Sequence, residues 1–131
     1  MDASSWVPMA VPRDQAAGRL AEIFTLLRGE TIEYVTTNWT LYEALALARR
    51  RGWETSTMLY SHVKQSTGIV SVDDMTESEA LRRFLTWRDK SASVVDHANA
   101  LVAAATRCDA IVSFDEDFIP LAAAAGLRLL R

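Results

Sequence analysis

The chain has 131 residues, half of them apolar and about a quarter charged, with a net charge of −3, which fits one globular domain with a sizeable core. The acidic balance excludes a general electrostatic pull on nucleic acid, so any such role rests on local basic patches or on metal ions. One cysteine, no basic-then-apolar leader pattern and no apolar run near the roughly eighteen residues of a membrane span together predict a cytoplasmic protein with no membrane partner.

Taken in chain order, the spacing of Ala17, Leu20, Ala21, Phe24 and Leu27 predicts a helix over 14–28 that Gly29 stops. TIEYV (31–35) predicts a strand. Thr37 or Asn38 caps a helix over 38–51, which Gly52 stops. Residues 54–67 predict a further helix closed by Gly68, and IVSV (69–72) a second strand. Thr76-Glu77-Ser78-Glu79 has the form of a capping box that opens a helix through Trp87. Ser93 caps a helix over 94–107 that leads to Cys108, expected as a small buried hydrophobe. AIVSF (110–114), a short helix over 115–125 and LRLL (127–130) complete the chain.

Strands alternating with helices predict a single α/β domain over 1–131, in three α/β/α layers around a mostly parallel central sheet. Gly29, Gly52, Gly68 and Gly126 are all read as helix stops. That leaves no glycine pair for a phosphate-cradling loop, which excludes P-loop and dinucleotide-binding chemistry. No G-x-S-x-G elbow supports a serine hydrolase.

Three regions place acids in apolar surroundings. Glu43 shares a helix face with Trp39, Ala46 and Leu47; Asp96 has Ala100 and Ala103 on its side; Asp115 and Asp117 follow an apolar strand. Each has an ordinary explanation: dipole interaction for Asp96, pairing with Arg50 for Glu43, helix capping for Asp115. In an open parallel sheet, however, all of them fall at the carboxyl ends of strands, where ligands bind. Converging carboxylates repel unless cations neutralise them, and Mg²⁺ or Mn²⁺ suits an all-oxygen site. Phosphodiester hydrolysis with two ions roughly 4 Å apart is the usual chemistry of such a site. His97 adjoins Asp96 and projects about 100° away from it, and His62 is distant, so zinc has little support.

Four blocks carry a family resemblance: DASSWVPMAVPRDQ, VTTNWTLYEALALARRR, DKSASVVDHANALVAA and IVSFDEDF with GLRLL. In this order and spacing they resemble the PIN domain, in particular the small ribonucleases of VapC-type toxin–antitoxin systems. The resemblance implies that Asp2, Glu43, Asp96 and Asp115 are metal-binding acids, with Asp117 an addition or substitute. It implies hydroxyls near a metal-bound water at Ser4 and Ser113. It further implies a Mg²⁺- or Mn²⁺-dependent endoribonuclease with RNA as substrate, a cognate antitoxin protein as partner and a homodimer. The alternative is a non-catalytic PIN-like module that binds RNA or protein.

The departure is at the front. The family has an apolar central strand ahead of its first Asp, and here only Met1 precedes Asp2. The resemblance therefore implies a PIN-like fold with its first strand truncated, the rest expected upstream of Met1, and Asp2 loosely positioned. Arg49-Arg50-Arg51 and the set Arg82, Arg83, Arg88, Lys90 are read as solvated helix ends before phosphate contacts. Trp6, Trp39, Trp53 and Trp87 are read as packing residues before base-stacking ones.

Overall fold

The computed structural model describes residues 1–11, 13–88 and 91–131; Lys90 and Asp89 lie outside the described residues. Met1 and Asp2 lead directly into α1 (Ala3–Ala10), a helix that periodicity did not announce. It forms because the extended Asp2 caps it, its carboxylate accepting the Ser4 N–H, while Pro8 is tolerated inside. Helix α2 (Ala17–Leu26) starts later than expected, since the Asp14 carboxylate accepts the Ala16 N–H and holds a turn there. Gly29, at φ +96°, supplies the left-handed residue that turns the chain toward β1 (Tyr34–Thr37).

Thr37 ends β1 and caps α3 (Asn38–Arg49), its hydroxyl accepting the Thr40 N–H. Then come α4 (Trp53–Ser66), β2 (Thr67–Val70), α5 (Asp74–Thr86), α6 (Val94–Ala105), β3 (Ala110–Val112), α7 (Phe118–Ala124) and β4 (Arg128–Leu130). Two local expectations are corrected. Gly68 is no helix stop but lies inside β2, paired with Val35, where an added Cβ would meet the Tyr34 carbonyl at 3.6 Å. The cap of α5 is Asp73 and not Thr76; its carboxylate accepts the Thr76 N–H at 2.8 Å. A charged acceptor three residues earlier outcompetes the Thr hydroxyl for the same orphan donors.

Every strand pairing is parallel, as the alternating pattern requires, but the central layer is split: β1 pairs with β2, and β3 with β4. Among the described residues, the first dipeptide bridges the two pairs. The Met1 ammonium donates to the Val35 carbonyl at 2.6 Å, and the Asp2 N–H donates to the Val112 carbonyl at 3.1 Å. Met1 and Asp2 thus bond alternately to β1 and β3, as one rung of a strand between them. Ahead of Met1 the gap continues as a cavity of about 720 Å³, walled by Tyr34 and Val35 on one side and Ala110 and Val112 on the other. Cys108, expected in the core, is half-buried and lines this cavity.

Apolar clusters flank the split layer. Trp6, Leu41, Ala44, Leu59 and Val63 pack α1, α3 and α4 together, and Phe118, Leu121 and Ile111 join α7 to β3. Each buried Leu, Ile, Val or Phe among them contributes about 1.5–3 kcal/mol. Trp6 is a core residue at 1% exposure, whereas Trp53 stands 63% exposed. Among the described residues no helix is long and apolar enough to cross a membrane.

Candidate active site

Asp2 is buried at 4% exposure and its carboxylate is the hub of the site. Its Oδ2 accepts from the Ser4 N–H at 3.1 Å, the Ser4 hydroxyl at 2.8 Å and the Ser113 hydroxyl at 3.2 Å. The Ser4 and Ser113 hydroxyls are themselves 3.1 Å apart. Ser4 Oγ accepts the Phe114 N–H, and Ser113 Oγ accepts the Asp115 N–H, so the turn that carries Asp115 is fastened to Asp2. Asp2 is therefore firmly held, against the expectation of a loose one. The short α1 cap and the serines of two segments provide what a longer strand was expected to provide.

Oδ1 of Asp2 takes its hydrogen bond from Asn99 Nδ2, at 3.3 Å. Asn99 Oδ1 accepts from the Thr37 hydroxyl at 2.8 Å and the Thr40 hydroxyl at 2.5 Å. This buried chain links β1, α3, α6 and the first residues, and neither Asn99 nor the two threonines had been singled out for the site. The available signal was spacing: Asn99 follows Asp96 by three positions, and Glu43 follows Thr40 by three, so each pair shares a helix face.

Asp96 sits in a full capping box with Ser93, whose N–H and hydroxyl both donate to Oδ2, at 2.7 and 2.8 Å. The dipole-and-cap explanation for Asp96 is thus part of its role. Burial nevertheless pushes its carboxyl up to about 6, against the Ser93 hydrogen bonds, with the charges of Asp2 and Asp115 adding to the rise. Oδ1 of Asp96 takes no hydrogen bond among the described residues.

Glu43 is corrected in part. Its residue surface is exposed, because the buried face of α3 is Thr40, Leu41, Ala44 and Ala48. Its carboxyl is still raised, by partial desolvation first and then by the charges of Asp2, Asp96 and Asp115. No pairing with Arg50 exists among the described residues, where ion pairs join Glu79 to Arg82 and Arg83, and Glu116 to Arg131. Asp115 and Asp117 separate: Asp115 acts electrostatically on both Glu43 and Asp96, whereas the Asp117 carboxylate accepts the Ser91 hydroxyl at 2.6 Å.

Glu43 and Asp96 thus lie within electrostatic reach of each other and of Asp2 and Asp115 near the carboxyl ends of β1 and β3, where the Met1 ammonium is a positive neighbour of Asp2. In donor chemistry the set fits a hard divalent cation, since carboxylate oxygens are the ligands such ions prefer and their mutual repulsion is offset only when a cation sits among them. In spacing it is open: among the described residues no three His, Cys, Asp or Glu side chains are gathered into a ready-made ion cage. His97 is buried in a pocket of Trp87 and Phe84, its ring nitrogens without hydrogen-bond partners among the described residues, and takes no part. The exposed arginine run begins where α3 ends at Arg49, about 18 Å along the helix axis from Thr37 at 1.5 Å per residue.

Among the described residues, seven helices around short parallel strands form a PIN-like α/β fold. Among solved structures the chain is similar to Mycobacterium tuberculosis VapC20, a Sarcin-Ricin loop cleaving toxin. The match has a TM-score of 0.81 at 21% identity, over 96% of this chain and 93% of that one. No family model and no curated protein matches the sequence.

Proposed function

We propose that the protein is a divalent-metal-dependent endoribonuclease, the toxin of a type II toxin–antitoxin system held in check by a small antitoxin protein. The observation that supports this most is the electrostatic coupling of Glu43 and Asp96 to Asp2 and Asp115 on a PIN-like frame. The solved neighbour is a toxin that cleaves the Sarcin-Ricin loop, which makes RNA the substrate class of choice here.

In this reading Asp2, Glu43, Asp96 and Asp115 hold Mg²⁺ or Mn²⁺, Ser4 and Ser113 keep the Asp2 carboxylate in place, and Asp117 stays outside. A bound divalent ion supplies Lewis acidity at phosphate oxygens and a water that is nucleophilic at neutral pH. The acids concentrate negative potential, which repels RNA phosphate until cations bind and so ties substrate entry to the ion. No side chain in the cluster is an activated nucleophile, so direct hydrolysis is expected without a covalent intermediate.

The open spacing of the acids favours one competing reading, a PIN-like module that binds RNA or protein without cutting. Purified protein incubated with single-stranded RNA and Mn²⁺ separates the two. The nuclease yields fragments that chelator abolishes, whereas the binding module retains intact RNA whether or not the ion is present. A homodimer is expected, and light scattering of the purified chain checks it.

A further inference from the structure

The carboxamide of Asn99 has only one sensible orientation. Its Oδ1 receives hydroxyls from Thr37 and Thr40, which fills both lone pairs of the carbonyl. Turned over, the amide would press that oxygen against the Asp2 carboxylate, an acceptor facing an acceptor with water excluded. Two constraints at opposite ends of one buried side chain therefore aim Nδ2 at Asp2 Oδ1.

Asp2 Oδ2 is fully engaged by Ser4 and Ser113, so the rotation of the carboxylate is decided at Oδ1, and there Asn99 is the donor among the described residues. The donor is also neutral. A Lys or Arg would hold the same oxygen but cancel the charge that a cation needs, and an Asp would drive the carboxylate away. The same amide reaches α3 through Thr40, one turn before Glu43, and sits one turn after Asp96 on α6.

We propose that Asn99 is a positioning residue that sets the orientation of the Asp2 carboxylate and registers it against Glu43 and Asp96, for a divalent cation shared by these acids. This rests on the reading of the acids as a cation site. The residue acts through Asp2 and the two threonines and need not touch RNA.

Calorimetric titration of Mn²⁺ into metal-free protein tests it, with three variants compared at matched fold by circular dichroism. Asn99→Leu should weaken Mn²⁺ binding about 10–100-fold, the usual loss for a residue that orients a ligand. Thr40→Val, which keeps Asn99 but removes one of the two hydroxyls that hold its amide, should weaken binding in the same direction by a smaller factor. Leu59→Ala, destabilised in the cluster between α1, α3 and α4, should bind Mn²⁺ as the unaltered chain does. Unchanged affinity in both Asn99→Leu and Thr40→Val overturns the positioning role, with the cation site standing. An equal loss in Leu59→Ala overturns it too, by making the effect a general consequence of lower stability. If the unaltered chain takes up no Mn²⁺, the cation-site reading falls and the inference falls with it. Should Asn99→Leu fail to fold, Thr40→Val alone decides between the first two results.

Discussion

Asn99 and Asp2 meet across 97 positions of sequence, Nδ2 to Oδ1 at 3.3 Å, and this contact joins the helix that carries Asp96 to the segment that carries the first acid. Its loss has a stability consequence apart from any ion. Asn99→Leu leaves the Thr37 and Thr40 hydroxyls without their shared acceptor in a buried site, which costs about 1–3 kcal/mol. Urea denaturation of the metal-free protein reads this as a lower midpoint at unchanged slope; an unaltered midpoint means that water or a rotated hydroxyl replaces the contact.

Asp96 should make stability depend on pH in a direction opposite to the usual carboxylate. Burial pushes its carboxyl up to about 6 in the folded chain, from an ordinary aspartate value of 3.8, so between these values the folded state binds more protons than the unfolded one. The contribution to stability is full below about pH 4 and is lost as pH rises through about 6. Asp96→Asn keeps an oxygen for the Ser93 N–H and removes the charge, so metal-free Asp96→Asn should be more stable than the unaltered chain at pH 7. The difference is on the order of 1–2 kcal/mol, discounted for partial solvent contact, and should shrink toward zero at pH 4. Urea midpoints of the two chains at both pH values check the sign.

Asp115 and Asp117 should separate in function. Asp115 lies within the electrostatic reach of Glu43 and Asp96, and Asp117 is bound to Ser91. Asp115→Asn should abolish Mn²⁺-dependent RNA cleavage, while Asp117→Asn should retain most of it. Cleavage rates at saturating Mn²⁺ check this, and the reverse pattern would exchange the two residues in the proposed site.

From α2 onward the order of elements and the parallel pairing were legible in the sequence, because both follow from periodicity and from the helix stops at Gly29, Gly52 and Gly126; α1 and the place of Gly68 inside β2 were not. Strand bounds were legible only in part: β3 begins at Ala110 as expected, whereas β1 begins at Tyr34 and not at Thr31, since pairing partners and not local propensity decide where a strand begins. Glu43, Asp96 and Asp115 were legible as acids next to apolar runs. Asn99 was not, because a single amide in an alanine-rich helix carries no signal until a second segment is brought against it. The firm hold on Asp2 was equally hidden, since it depends on Ser113, 111 positions away.

The gap between β1 and β3 should accept more strand. At about 3.3 Å per residue, an extension of about four or five apolar residues ahead of Met1 would run along Tyr34 on one side and Ala110 on the other. It would also replace the Met1 ammonium, whose pKa burial pushes down, by a neutral amide. Such an extension should raise Tm by about 5 °C or more and protect the Cys108 thiol from labelling, while a Gly-Ser tail of equal length does neither. Equal effects from both tails would show that the gap is no strand seat.

The most direct test of the central claim is cleavage of single-stranded RNA by the purified chain with Mn²⁺, set beside Asp96→Asn under identical conditions. The predicted result is cleavage that chelator abolishes and that Asp96→Asn reduces to background, with the circular dichroism spectrum unchanged. Undiminished cleavage by Asp96→Asn, or cleavage that survives the chelator, would contradict it.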